Sequence, residues 1–237
     1  MQSKSQFLEY NHSQTTAQMA GDAYKRVART TLDEPGFALI RLKDIKDSLS
    51  QRRLMVELKE AISALFCAQH GKVLGWQTMS RFDQKVTTKP HRDGGPAESL
   101  LILGYEPTSV KSSLSIADYT KCATDRGITP DIFLEEYNPM FEKGLELLKP
   151  YTTKLTEFDT SYFQILVINN SSCAYTENGS SLLGVLHCAE IGQNQTGSRV
   201  INSTSISPLA NGECEPVSAA RLQDFLENSN IESSNYA

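Results

Sequence analysis

The chain has 237 residues, of which 39% are hydrophobic and 22% charged, and a formal net charge of −5. That composition excludes a disordered chain, a collagen and a coiled coil, and the length suffices for one self-sufficient core. An acidic balance with no dense Lys/Arg run (Gln51-Arg52-Arg53 is the nearest) argues against a nucleic-acid partner, and no apolar run reaches the ~18 residues of a membrane span.

The start, Met1-Gln2-Ser3-Lys4-Ser5-Gln6, lacks the apolar stretch of a secretory signal, so a cytoplasmic location is expected. Residues 1–18 read as a flexible polar arm. Tyr24, Val27, Ala28 and Leu32 predict a helix over 22–33, stopped by Glu34-Pro35-Gly36. Gly36–Leu42 reads as a buried strand. Leu54, Leu58, Ile62, Leu65 and Phe66 form the stripe of a helix over about 50–68, with Gly71 suited to its end. From Lys72 the period becomes 2, and strands are expected over Val73–Phe82, Lys85–Asp93, Glu98–Tyr105 and Ser112–Ile116.

A helical insert over 117–148 follows. Asp118 and Thr129-Pro130 are helix-start signals, Asn138-Pro139 repeats the second of them, and Lys149-Pro150 closes the insert. Its Tyr119, Phe133, Tyr137 and Phe141 either line a pocket beneath a lid or form plain core. The last third returns to β at Lys154–Phe158, Tyr162–Asn169, Leu182–Glu190 and Ser198–Ser207. A short helix near Ser218–Leu226 and a flexible tail over 228–237 complete the chain. Helices first and then some eight β segments predict a single α+β, mainly β domain over 1–237, built as a closed or two-sheet barrel.

Five cysteines (Cys67, Cys122, Cys173, Cys188, Cys214) show neither C-x-x-C nor zinc-finger spacing and read as reduced thiols. Six N-x-S/T sequons, at Asn11, Asn169, Asn170, Asn178, Asn194 and Asn202, signify only a chain rich in Asn and Ser where no secretory signal accompanies them.

Chemistry concentrates in three places. In His91-Arg92-Asp93, a strand would put His91 and Asp93 on one face, able to offer a ligand atom each to one divalent ion. His187, within Leu182-Leu183-Gly184-Val185-Leu186-His187-Cys188, is either a ligand or an ordinary core histidine. Arg199 enters the next apolar strand and needs a carboxylate, either a protein ion-pair partner or a bound acid. Two histidines and a carboxylate make the facial triad that suits Fe(II) and leaves coordination positions open. Arg81 and Gln77 would share one face of their strand; if it faces inward, Arg81 meets an anionic group, and if not it is solvated at the rim.

Thr88-Lys89-Pro90-His91-Arg92-Asp93-Gly94-Gly95, and Gly184-Val185-Leu186-His187 leading to Ser198-Arg199-Val200-Ile201-Asn202-Ser203, resemble the 2-oxoglutarate/Fe(II)-dependent dioxygenases. The likeness spans about residues 20–210. It implies a double-stranded β-helix (a cupin-like jelly roll), with His91, Asp93 and His187 as iron ligands and Arg199 binding the distal carboxylate of 2-oxoglutarate. It also implies an oxidoreductase that uses O2 and releases succinate and CO2, hydroxylating, desaturating or cyclising a small organic substrate. Because Asp93 is present, halogenation is disfavoured. The family often carries a hydroxyl two residues after the arginine; here that position is Ile201, and Ser203 lies farther along the same face. The same chemistry on a protein or peptide side chain, and a non-catalytic metal-binding β-barrel, are the competing readings. The sequence leaves the oligomeric state open.

Overall fold

A computed structural model describes residues 6–172, 182–193, 195–210 and 212–232. Cys173, the sequons at Asn178 and Asn194, residues 1–5 of the expected arm and 233–237 of the tail lie outside the described residues.

The chain runs β1 (Phe7–Tyr10), α1 (Thr16–Val27), β2 (Phe37–Leu42), α2 (Ser48–His70), β3 (Leu74–Asp83), β4 (Leu100–Tyr105) and β5 (Ser112–Ala117). The insert follows as α3 (Tyr119–Asp125), α4 (Pro130–Glu136) and α5 (Glu142–Leu148). After it come β6 (Thr152–Lys154), β7 (Phe163–Asn169), β8 (Leu186–Ile191), β9 (Val200–Pro208) and α6 (Ala219–Glu227).

Two expectations for the N-terminal part are corrected. The arm is not loose: Phe7–Tyr10 pairs in parallel with Leu39–Leu42. The first helix starts at Thr16 and ends at Val27, because Thr15 and Gln18 form a capping box that fixes the start earlier than the apolar spacing suggests. The second helix agrees closely with its signals: Asp47 caps its N-terminus through Ser50 N–H, and Gly71 ends it in the left-handed region at φ 69.

The large sheet has the order β1-β2-β7-β4-β9-β3, and the small one β6-β5-β8. The expected strand over Lys85–Asp93 is only bridge-like. Thr88 N–H donates to Ala189 C=O (2.9 Å), and His91 and His187 exchange two main-chain bonds of 3.0 Å, so residues 87–91 lie antiparallel along the outer side of β8. Numbered from β3, the eight segments then lie in the order first, eighth, third, sixth in one sheet, and second, seventh, fourth, fifth in the other. That is a jelly roll, the double-stranded β-helix expected from the sequence.

Strand β7, Phe-Gln-Ile-Leu-Val-Ile-Asn, is apolar nearly throughout because the large sheet is covered on both faces. Ile165 and Val167 join Ile102, Met55, Leu58 and Ile62 beneath α1 and α2, while Leu166 and Ile168 join Leu101, Leu103, Leu114 and Ile116 between the sheets. Tyr119, Cys122, Phe133 and Leu148 form the insert's own small core against Leu186, which settles the role of Tyr119 and Phe133 as core rather than pocket lining. No described helix is long and apolar enough to cross a membrane.

Candidate metal centre

His91 sits where the chain leaves β8, and its main-chain bonds to His187 set the two imidazoles side by side, with ring centroids 4.3 Å apart. Asp93, two residues on, turns its carboxylate to both: Oδ1 lies 3.4 Å from His91 Nε2 and 3.7 Å from His187 Nε2. One ligand atom from each of the three residues lies within 4.8 Å of the others. The structure therefore brings together the three residues singled out in the sequence as a triad.

Burial drives the His187 imidazole down to about 4, against the pull of Asp93 and aided by His91, so it is neutral near pH 7. Burial also acts to lower His91, but its hydrogen bonds to Asp93 and to the Lys89 carbonyl outweigh this and hold it above its ordinary value. Burial raises Asp93, and this is overcome by the His91 hydrogen bond and by the charges of His187, His91 and Arg92, so it stays ionised. His91 Nδ1 lies 2.7 Å from Lys89 O. A carbonyl can only accept, so Nδ1 carries a proton, and Nε2, which faces Asp93, is the nitrogen that a metal would take on displacing its proton.

These residues open onto a partly open cavity between the sheets, with apolar walls of Phe82, Val86, Leu103, Tyr105, Ala189 and Ile201. Gln84 and Tyr105 also line it, and both contact Arg199. Arg199 is 2% exposed. Its Nε donates to Ser112 Oγ (2.9 Å), Nη1 donates to Gln84 Oε1, and the guanidinium lies 5.0 Å from the centre of the Tyr105 ring. Nη2 is buried with no hydrogen-bond acceptor among the described residues. Among the described residues no carboxylate pairs with the Arg199 side chain, although a buried arginine ordinarily requires one. Burial lifts the Tyr105 phenol to about 12 in spite of Arg199, so it remains a protonated donor. Ser112 pairs with Ile191, four residues along β8 from His187, which is ~13 Å of strand. Beyond Gln84 and Val86 a second, open mouth is lined by Arg199, Lys85, Val110 and Gly197.

Two expected residues fall elsewhere. Arg81 points to the helix-covered side of β3, because its neighbour Phe82 takes the inward face; it pairs with Glu106 (Nη2–Oε1 3.2 Å) and donates to Ser229 O. Gln77 lies at the β-bulge between Trp76 and Thr78 and does not line the cavity. Ser203 shares the inward face with Arg199 and Ile201 but lies beyond Ile201, opposite Leu103 and Ser80. Three contributors were not anticipated. Ser112 has the same strand parity as the inward Leu114 and Ile116, so its direction was readable. Tyr105 reads as plain core, and Gln84 lies in a link with no periodic signal.

No family model matches the chain, and no curated protein matches it. Among solved structures, the chain is similar to the Kdo hydroxylase KdoO, a non-heme Fe(II) alphaketoglutarate dependent dioxygenase, in complex with succinate and Fe(III): 10% identity, TM-score 0.40, covering 86% of this chain and 89% of that one. The same hydroxylase with cobalt(II) gives 11% identity and TM-score 0.40 over 98% and 99%. The iron and alpha-ketoglutarate-dependent endoperoxidase NvfI gives 12% identity and TM-score 0.38 over 78% and 80%. The likeness is distant, and any activity must be argued from this chain's own residues.

Proposed function

We propose that the protein is a non-haem Fe(II)- and 2-oxoglutarate-dependent oxygenase acting on a small organic substrate. One observation carries the reading: two imidazoles and a carboxylate open on a cavity also lined by Gln84 and Tyr105, which contact a buried arginine with an unpaired Nη2. The donor set fits the metal, since two nitrogens and one oxygen suit a borderline divalent ion and leave positions free for a chelating oxo-acid and O2. The arginine fits the cosubstrate, since Nη2 lacks the anion that its burial calls for.

His91, Asp93 and His187 would hold the iron. Arg199 would take the distal carboxylate, while Ser112 and Gln84 fix the guanidinium plane. Tyr105 supplies a hydroxyl where Ile201 cannot. The apolar walls keep water from the reacting centre. When bound, Fe(II) and 2-oxoglutarate would supply the oxidising power: one atom of O2 would enter succinate as CO2 is lost, and the other the hydroxylated product, or water where the substrate is desaturated or cyclised.

The test is anaerobic addition of Fe(II) and 2-oxoglutarate to the pure protein. A visible charge-transfer band that depends on both, and succinate formation once air is admitted, are expected. Folded protein that gives neither would overturn the reading.

A further inference from the structure

We infer that Asn170 is a positioning residue for Asp93, aiming its carboxylate by gripping its backbone; this rests on the metal reading above. His91 is fixed by its two main-chain bonds to His187, but the chain then leaves the sheet, and Asp93 lies outside any strand. Asn170 supplies the missing neighbour. Its Oδ1 accepts from Asp93 N–H (2.9 Å) and its Nδ2 donates to Asp93 C=O (3.1 Å), so one side-chain amide occupies both main-chain groups as a strand partner would. The intervening residue is held as well, since Arg92 Nε donates to Asn170 O (3.1 Å) and Nη2 to Pro96 O (2.9 Å).

The grip is itself anchored. Asn170 is 0% exposed. Its N–H donates to Ser99 O (2.9 Å), and Nδ2 also reaches Ser99 Oγ (3.1 Å). Its neighbours hold the other ligand strand: Val185 N–H donates to Asn169 O (2.9 Å), two residues before His187. Asn169–Ser171 thus touches both segments that carry the triad. The Asp93 side chain, in contrast, faces the two imidazoles, so its direction is set by its backbone. Partners of this kind, one shell out from a metal, typically matter 10- to 100-fold in affinity. The sequence shows Asn170 only as a sequon, and its full burial excludes it as a glycan acceptor in the folded chain.

Co(II) is the probe, titrated into the full metal-free chain and followed by its visible d–d bands. Asn170→Ala is compared with Ser99→Ala, which damages the same buried cluster without touching Asp93. Asn170→Ala should weaken Co(II) binding about 10- to 100-fold and change the shape of the bands. Ser99→Ala, which leaves both Asn170 bonds to Asp93 in place, should lose stability and weaken Co(II) binding by clearly less than Asn170→Ala. Wild-type Co(II) affinity and spectrum in Asn170→Ala, or an equal loss in Ser99→Ala, would overturn the inference. Should Asn170→Ala not fold, the isosteric Asn170→Asp, which removes the donor to Asp93 C=O, gives the same readout: weakened binding supports the inference and wild-type binding refutes it. If the wild-type chain itself binds no Co(II), the metal reading fails and this one with it.

Discussion

The three candidate ligands depend on one another at the scale of single residues. Asp93 stays ionised because the His91 hydrogen bond and the facing imidazoles favour its charged form, and the Lys89 carbonyl orients His91 by accepting from Nδ1. His91→Ala and Asp93→Ala should each abolish stoichiometric iron binding, checked by metal analysis after loading and gel filtration; full iron in both would refute the assignment. Arg199→Ala should raise the 2-oxoglutarate requirement 10- to 100-fold, the worth of a charge-assisted bond of about 1.5–3 kcal/mol, read from succinate formation against cosubstrate concentration. These four positions were legible because histidine is scarce, with four in the chain, and because His-x-Asp and the arginine after His187 are local patterns. Arg81 was misplaced because strand parity gives two alternating faces but not which one is inward. Tyr105, Gln84 and Asn170 were not legible, since their partners lie 94, 115 and 77 positions away along the chain.

Capping signals decided how well individual elements could be read. The start and stop of α2 follow from Asp47 and Gly71, whereas the start of α1 is set by the capping box at Thr15 and not by the apolar spacing over 22–33. The Asp47 carboxyl lies below its usual range because Ser50 donates to it from its backbone and its hydroxyl. Its capping contribution is therefore complete above the unfolded value near ~3.9 and fades as pH falls through the lower folded value. Asp47→Ala should cost about 1 kcal/mol in urea unfolding at pH 7, a gap that narrows below pH ~3. The residue before the β8 approach is constrained differently. A Cβ on Gly184 would lie 1.9 Å from Ser171 O, a backbone atom that cannot give way without moving the Asn169–Ser171 segment. Gly184→Ala should destabilise the fold by roughly 1–3 kcal/mol and weaken metal binding with it, measured by denaturation and Co(II) titration on the same sample.

For the whole molecule, alternation and turn signals were enough to predict the two-sheet architecture, while the joints between its layers come from contacts remote in sequence. Arg29, with a side chain 1% exposed, is the main joint. It binds Asp118 at the head of the insert through two bonds of 2.7 and 2.8 Å, and donates to Leu183 O and Gly184 O at the approach to β8. Arg29→Ala leaves a carboxylate and carbonyls without their donor and should cost about 3–5 kcal/mol in urea unfolding. The C-terminal segment is a second joint. Strand β3 is the last strand of the large sheet, ten residues long, and its outer side meets α6 and the return of the chain, where Glu232 N–H donates to Arg81 O (2.7 Å). An open strand edge of that length is a template on which further chains can pair. The stretch after α6 covers part of that edge through this bridge, and its removal should favour pairing between copies. A chain cut after Glu227 should keep its circular dichroism yet grow in light scattering with time and concentration, as neighbouring copies complete the hydrogen bonds that Glu232 normally occupies.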